Sequence, residues 1–191
     1  MFKYKNAGVE DIPAVARLQR QYHVATISPE DRSDGFVTTL FSQEQFCQLI
    51  EEENGLAIAL DGEQVAAYAM AASWGYWSAW PLFRHMIQDL PRTEYLGQKL
   101  SITNSYQYGP ICIQRDYRGT EVLPNLFEFS RRQMAARYPI LITFINQANP
   151  RSLQAHTKLG LDIIKAFEFN DNQYYELGYD LRVPTANSTL E

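Results

Sequence analysis

The segment "YPILITFI", residues 138–145, places the strongest limit on how this chain can fold. It is a continuous apolar run of strand length, without the alternation that marks a strand with one face in water. Such a run predicts a central strand that is covered on both faces. Helices must then pack on both sides of the sheet, which indicates a layered α/β architecture.

The remaining patterns supply elements for that architecture. "FKYK" alternates and predicts a first strand, and two helices follow within residues 8–54, the second with Ser42 as its N-cap. Two strands, "LAIAL" and "VAAYAMAAS", form a predicted hairpin. After residue 104 the order is strand, helix, strand, helix and a closing hairpin. We therefore predict a mixed α/β (α+β) fold with a single central mixed sheet flanked by helices.

Residues 74–100 interrupt this order. They hold all three tryptophans and two prolines, and they predict an inserted, aromatic-rich and partly helical lid. A length of 191 residues suits one well-cored domain and is short for two. We predict a single domain over residues 1–182 and a flexible polar tail over residues 183–191.

Composition argues against several classes of protein. The formal charge is −5 and no block of Lys or Arg occurs, so we expect no nucleic-acid partner. The N-terminus lacks a signal-peptide core and no apolar run reaches membrane-spanning length, so we expect a cytoplasmic protein without a membrane partner. Cys47 and Cys112 lie in apolar runs and predict buried free thiols, and the three histidines lack metal-site spacing, so no metal is expected.

Two strand-to-helix junctions carry the candidate chemistry. "RDYRGTEV", residues 115–122, follows the apolar run "GPICI" and precedes a helical pattern. Free backbone N–H groups and the helix dipole favour an anion at such a junction. The second junction starts at Asn149, a good N-cap, with Pro150 in the first turn and Gly160 as a C-terminal stop.

The element order and these junctions together resemble the GCN5-related N-acetyltransferase (GNAT) superfamily over residues 2–180. "ICIQRDYRG" is similar to the family's fourth strand and the start of its pyrophosphate loop. "NPRSLQAHTKLGL" is similar to a later family motif, in which Asn149, Lys158 and Gly160 match. Leu161 replaces the family's Phe, and His156 stands where Tyr is common.

The resemblance implies acetyl-CoA as acetyl donor and an amine of a small molecule or peptide as acceptor. It also implies that acetyl-CoA contacts the fourth strand, the loop after it and the start of the later helix. The positions in this chain that correspond to those contacts are Ile111, Cys112, Ile113, Arg118, Gly119, Thr120, Glu121, Val122, Leu123, Asn149 and Ser152.

The loop departs from the family pattern Arg-Gly-x-Gly-x-Gly/Ala at two positions. Arg118 and Gly119 match, whereas Glu121 and Leu123 replace small residues. A side chain does not remove a backbone N–H, so the cradle can survive where the dihedrals suit non-glycine residues. A carboxylate beside a pyrophosphate is repulsive unless it turns outward.

The candidate catalytic residues each have two interpretations. His156 is either the acid that protonates the CoA thiolate or a partly buried helix residue. Some family members carry a base glutamate near Gln107, and glutamine cannot take a proton. Tyr108 is an alternative base or a packed strand residue. The cluster of Trp74, Trp77 and Trp80 either lines an aromatic acceptor pocket or packs within the lid, and His85 is expected on the surface.

Three functions remain open at this stage. The first is an acetyl-CoA-dependent N-acetyltransferase, and the second is a non-catalytic or weakly active acyl-CoA-binding or sensing domain with a degenerate pyrophosphate loop. The third is an interaction protein that uses the tryptophan-rich insertion as its contact surface. A homodimer is also compatible with the sequence.

Overall fold

The computed structural model describes residues 1–190, apart from the side chains at positions 33 and 34. A seven-stranded sheet has the order β1-β2-β3-β6-β7-β9-β8, and β4 and β5 form a separate two-stranded hairpin. The strands are β1 (Lys3–Asn6), β2 (Leu56–Asp61), β3 (Gln64–Ala72), β4 (Glu94–Tyr95), β5 (Gln98–Lys99), β6 (Ser105–Ile113), β7 (Ile140–Asn146), β8 (Asp162–Phe169) and β9 (Asn172–Asp180).

Helices cover both faces of this sheet, as the apolar run in β7 requires. They are α1 (Ile12–Gln21), α2 (Gln43–Glu51), α3 (Trp74–Trp77), α4 (Pro81–Asp89), α5 (Val122–Ala135) and α6 (Pro150–Leu159). Side chains of α1 to α4 pack in one apolar cluster with Ile140 and Ile142 of β7. Side chains of α5 and α6 pack in a second cluster with Leu141 and Ile145, on the other face. The predicted mixed α/β fold is confirmed.

The sheet divides between β6 and β7. These two strands are its only parallel neighbours among the described residues, and they pair only from Ser105–Ile140 to Gln107–Ile142. Beyond that point β6 stays paired with β3, and β7 stays paired with β9. The two strands therefore separate toward their carboxyl ends, which opens a cleft inside the sheet.

The insertion is compact and partly helical, as expected. It contains α3, α4, a short 3-10 turn at Leu90–Arg92 and the β4–β5 hairpin. Trp74 Nε1 donates to Ser105 Oγ (3.0 Å), and Trp77 Nε1 donates to the Gln107 carbonyl (3.2 Å). These bonds fasten the insertion to β6 beside the point where the sheet divides.

The carboxyl-terminal segment is hydrogen-bonded to α5, and the expectation of a flexible tail over residues 183–191 stays a prediction. Thr185 is buried, and both its N–H (3.0 Å) and its hydroxyl (2.7 Å) donate to Glu128 of α5. Thr189 N–H donates to Asn125 Oδ1 at 2.8 Å. The polar composition of the tail serves these hydrogen bonds, since α5 presents a buried carboxylate and amide to it. Residue 191 lies outside the described residues.

No described helix has the length and apolar content to cross a bilayer. No group of three or more His, Cys, Asp or Glu side chains is arranged to hold a metal ion in the part of the chain that the structure describes.

Candidate active site

The loop between β6 and α5 leaves three backbone N–H groups without a hydrogen-bond acceptor among the described residues. Gly119 adopts a φ of +77°, which glycine tolerates and β-branched residues do not. The N–H groups of Gly119, Thr120 and Glu121 donate no hydrogen bond to any described residue. The Thr120 hydroxyl donates to the Tyr117 carbonyl (2.6 Å) and accepts from Val122 N–H (3.3 Å), so it caps the start of α5. Free N–H groups at a helix start form an anion site.

Arg118 adds positive charge to this loop. Its Nε donates to the Ile113 carbonyl at 2.9 Å, and its guanidinium lies 4.7 Å from the centre of the Tyr22 ring. Both contacts fix the side chain at the rim of the cleft. A positioned guanidinium is well suited to bind phosphate oxygens.

Two adjoining cavities fill the cleft. The first, which we call the arginine cavity, has Tyr22, Cys112, Arg118, Gly119 and Arg151 in its wall. The second, the aromatic cavity, has Phe36, Phe83, Gln107, Phe144 and Tyr174 in its wall. The residues shared by both walls are Phe36, Val37, Ile111, Asn149, Ser152 and His156.

The start of α6 forms much of this shared wall. Asn149 Oδ1 accepts from Ser152 N–H at 3.2 Å, and this cap begins the helix at Pro150. His156 lies one turn further on, with a side chain that is almost wholly buried. Its Nδ1 lies 2.7 Å from the Ser152 carbonyl oxygen, which can only accept, so Nδ1 carries the hydrogen. The Nε2 atom is then the ring nitrogen with a free lone pair.

Burial lowers the pKa of His156, and the hydrogen bond to the Ser152 carbonyl opposes that shift. The ring is therefore neutral at neutral pH in the free protein. The acid predicted from the sequence would be the protonated ring, so a proton must reach Nε2 during the reaction. A neutral ring is suited to accept that proton first.

Side chains satisfy one backbone carbonyl at the point where the sheet divides. The Tyr108 carbonyl accepts from Thr143 Oγ1 of β7 (2.6 Å) and from Gln107 Nε2 (2.5 Å). Side-chain donors thus replace the strand partner that this carbonyl would have if β6 and β7 continued side by side. The carbonyl stays satisfied while the cleft stays open.

Comparison with known proteins relates this geometry to a fold. No family model matches the chain, and no curated protein matches it. Solved structures do match, among them a protein from Salmonella typhimurium assigned as an acetyltransferase and bound to its cofactor acetyl-CoA. That structure shares 11% identity over 97% of this chain and 98% of its own, with a TM-score of 0.63.

Two further matches are enzymes by name. The ribosomal-protein-S18-alanine N-acetyltransferase of Escherichia coli shares 11% identity, covers 98% of both chains and has a TM-score of 0.62. An N-acetyltransferase from Staphylococcus aureus Mu50 shares 13% identity over 95% of this chain and 99% of its own, with a TM-score of 0.60. This chain has the GNAT fold. The resemblance read from its two junctions is thereby confirmed at the level of the fold.

Some of the predicted acetyl-CoA-binding residues in the loop between β6 and α5 line the arginine cavity. Arg118, Gly119 and Leu123 lie in the cavity wall, whereas Thr120, Glu121 and Val122 do not. Val122 is buried in the core. The Glu121 side chain is exposed, and its charge adds to the rise that burial causes in the pKa of Tyr4 on β1. The carboxylate therefore acts on the β1 side of the helix start, outside the cavity wall.

The predicted acetyl-CoA-binding residues of β6 lie in the same cavity wall as those of α6 and its N-cap. Ile111, Cys112 and Ile113 line the arginine cavity with Asn149 and Ser152. Burial raises the pKa of the Cys112 thiol to about 12, so it stays protonated. A protonated thiol is a poor nucleophile, and transfer through a cysteine at this position is disfavoured.

Tyr108 contributes its backbone carbonyl to the region where the sheet divides, whereas its ring packs against α5. Its ring packs against Phe127 of α5, with 5.2 Å between ring centres, and its hydroxyl is buried without a hydrogen-bond partner among the described residues. Burial raises the pKa of this phenol far above neutrality. A base role for the phenol therefore conflicts with its surroundings, because a neutral phenol does not accept a proton usefully at neutral pH.

The three tryptophans do not line either cavity. Trp74 and Trp77 are buried in the core, and Trp80 packs against Phe41, Tyr76 and Trp77. The hydrogen bonds of Trp74 and Trp77 to β6 fit this placement, since an indole N–H that is buried needs an acceptor. The aromatic wall comes instead from Phe36, Phe83, Phe144 and Tyr174. Of these, only Phe83 belongs to the insertion. The aromatic content of residues 74–100 therefore indicated one of the four aromatic residues in this wall.

Proposed function

We propose that this protein is an N-acetyltransferase that moves an acetyl group from acetyl-CoA to an amine of a small molecule or peptide. One observation carries the proposal: within a GNAT fold, a phosphate-type loop with a fixed arginine opens into a cleft whose far end is an aromatic chamber. His156 lies in the wall that the two parts share.

The direction of acetyl-CoA follows from charge. Arg118 and Arg151 lie at the arginine cavity, where the pyrophosphate would meet the free N–H of Gly119. The pantetheine arm would then run along Ile111–Ile113 and past Asn149. This orientation brings the thioester to the boundary of the two cavities, next to His156, and leaves the aromatic cavity for the acceptor.

The proposed reaction is a direct transfer. The amine nitrogen attacks the thioester carbonyl carbon, the new N–C bond forms, and the C–S bond breaks. The amine loses one proton and the departing thiolate gains one. In our proposal His156 Nε2 receives the first proton and returns it to sulfur, which a neutral buried imidazole can do.

A second candidate is an acyl-CoA-binding protein without efficient turnover. Gln107 favours it, because it occupies the place where some GNAT proteins carry a base glutamate and an amide cannot take a proton. This candidate shares the arginine cavity with the first and differs from it only in chemistry.

Two measurements test the proposal. Calorimetry with acetyl-CoA measures binding, and thiol release over a panel of amines measures turnover. Binding together with amine-dependent thiol release supports the N-acetyltransferase. Binding without turnover on any amine favours the binding protein, and the absence of binding heat would contradict both.

A further inference from the structure

Gln107 leaves one buried acceptor atom unpaired in the wall of the aromatic cavity. The side chain is 1% exposed, and its Oε1 has no hydrogen-bond partner among the described residues. Its Nε2 donates to the Tyr108 carbonyl at 2.5 Å. Because that carbonyl can only accept, the amide nitrogen must face it, and the amide cannot be turned round. Oε1 is therefore the atom left for another donor.

Several aromatic side chains share the cavity wall with Gln107. Phe83 and Phe144 have ring centres 5.5 Å apart, and Phe144 and Tyr174 have ring centres 5.6 Å apart. Both pairs are nearly perpendicular, at 68° and 81°, so the rings form an edge-to-face wall and not a flat stack. Phe36 contributes a further ring from the loop between α1 and α2. A ligand body placed here contacts ring edges and faces, which suits a planar apolar group.

We propose that the acceptor is a primary amine carried on an aromatic body, and that Gln107 Oε1 accepts a hydrogen bond from the reacting nitrogen. The inference rests on the proposed acetyl transfer and names the substrate class for that site. A primary amine has two N–H hydrogens. One is lost as the proton that finally reaches sulfur, and the other stays on the amide product and can keep its bond to Oε1 throughout.

The same contact orients the nucleophile. An N–H held by Oε1 turns the nitrogen lone pair away from Gln107, toward the shared wall where the thioester would lie. Gln107 is thereby given a role in binding and aiming the amine, whereas a glutamate would also take its proton. An unpaired buried acceptor discriminates strongly, because a ligand that lacks the N–H leaves it unsatisfied.

The test uses benzylamine as the aromatic probe, with spermidine and 6-aminohexanoate as charged aliphatic probes of similar reach. Thiol release with acetyl-CoA should show kcat/KM at least about 10-fold higher for benzylamine than for either aliphatic amine. Benzylamine should also give binding heat with the protein saturated by CoA, which requires no turnover. Equal or better use of the aliphatic amines would overturn the inference and leave the proposed acetyl transfer standing.

Two variants locate the contact. Gln107→Met keeps the length and burial of the side chain and removes the acceptor, and it should lower kcat/KM for benzylamine about 10-fold or more while the acetyl-CoA Kd stays unchanged. Thr143→Val removes the other donor to the Tyr108 carbonyl but leaves Oε1 in place, so it should cost less than Gln107→Met. An equal loss in both variants would assign the effect to the carbonyl and contradict the role of Oε1. No binding of acetyl-CoA by the parent protein would instead remove the proposed function itself.

Discussion

Gly119 is the residue whose backbone most directly shapes the candidate phosphate site. Its φ of +77° turns the chain between Arg118 and the start of α5, and no heavy atom lies within 4 Å of where a Cβ would sit. A Cβ at this position would therefore meet no clash, and its cost would come from the backbone dihedral. This property makes the position a clean probe of loop geometry.

Gly119→Val should raise the acetyl-CoA Kd about 10-fold or more, because a β-branched residue disfavours positive φ and the loop would relax away from the phosphate-binding conformation. Calorimetry on the purified variant measures the change. Gly97→Val is the matched control, since Gly97 has a φ of +74° and an equally open surrounding in the β4–β5 turn. An unchanged Kd in the Gly119 variant would remove the loop from the site.

His156 is the residue on which the chemistry depends. His156→Ala should lower kcat about 10²-fold with little change in acetyl-CoA Kd, because proton transfer is made chiefly in the transition state. His156→Tyr should retain more activity than the Ala variant. His85→Ala is the control, because His85 is exposed and stacks on Phe167 away from both cavities. Parent-like turnover in both His156 variants would make His156 a packing residue.

The pH profile gives a second test of His156. Burial lowers its pKa, so the neutral, proton-accepting ring persists to lower pH than for an ordinary histidine. We expect the acid limb of kcat/KM to fall below the ordinary histidine value of about 6.5 and to vanish in His156→Ala. An acid limb that the Ala variant retains would belong to another group.

At the scale of elements, α5 is held by charge as well as by apolar packing. Glu128 accepts from Arg131 (2.6 Å), from Arg132 (2.8 Å) and from Thr185 of the tail. These donors hold the pKa of the Glu128 carboxyl far below its usual range, against the opposing effect of burial. The helix that begins at the candidate phosphate loop is thereby tied to the carboxyl-terminal segment.

Glu128→Gln should destabilise the protein by about 2–4 kcal/mol, because it leaves the part-buried Arg131 guanidinium without its carboxylate. Thermal unfolding at pH 7 measures the loss. In the parent, the depressed pKa means that this stabilisation is present above the unfolded value of 4.5 and is lost as pH falls. The variant and parent should therefore converge in acid. Glu63→Gln, in the exposed β2–β3 turn, is the control and should change little.

At the scale of the whole molecule, a partly buried charged cluster joins the insertion to the β8–β9 hairpin. Lys165 of β8 forms an ion pair with Asp89 of α4, donates to Thr93 (2.6 Å) and lies 4.0 Å from Glu176 of β9. Glu176 is buried, and its Oε1 has no hydrogen-bond partner among the described residues. Burial raises the pKa of Glu176 to about 7, with Lys165 opposing the rise.

The sign of the pH effect follows from that shift. The folded state holds the Glu176 proton up to about pH 7, whereas the unfolded chain releases it near 4.5. The contribution to stability is complete below the unfolded value and is lost as pH rises through about 7. Glu176→Gln should therefore raise stability at pH 8, by on the order of 1–3 kcal/mol, and change it little at pH 5.

Thermal unfolding across pH 5 to 8 checks this expectation. Glu168→Gln, on an exposed position of β8, should follow the parent at every pH. A parallel pH dependence in the parent and Glu176→Gln would show that the Glu176 carboxylate is stabilised by Lys165 and ionised throughout.

Residue patterns along the chain predict most of the strands and helices, and the ends of several helices. The unbroken apolar run in β7, the Asn149 cap of α6 and the Gly160 stop depend on residues near one another in the chain, so local patterns predict them. The same locality explains why the two strand-to-helix junctions were recognisable. The cytoplasmic location and the homodimer remain predictions.

Which side chains face the cleft depends on contacts between residues that are far apart in the sequence. The indole of Trp74 donates a hydrogen bond to Ser105, and the ring of Phe144 on β7 packs against Tyr174 on β9. Thr185 donates a hydrogen bond to Glu128, which lies 57 positions away in the sequence. The orientation of Gln107 likewise depends on where the sheet divides. Each of these contacts joins residues that are distant along the chain. These contacts form only when the sheet and the helices pack together. Local residue patterns therefore do not predict them.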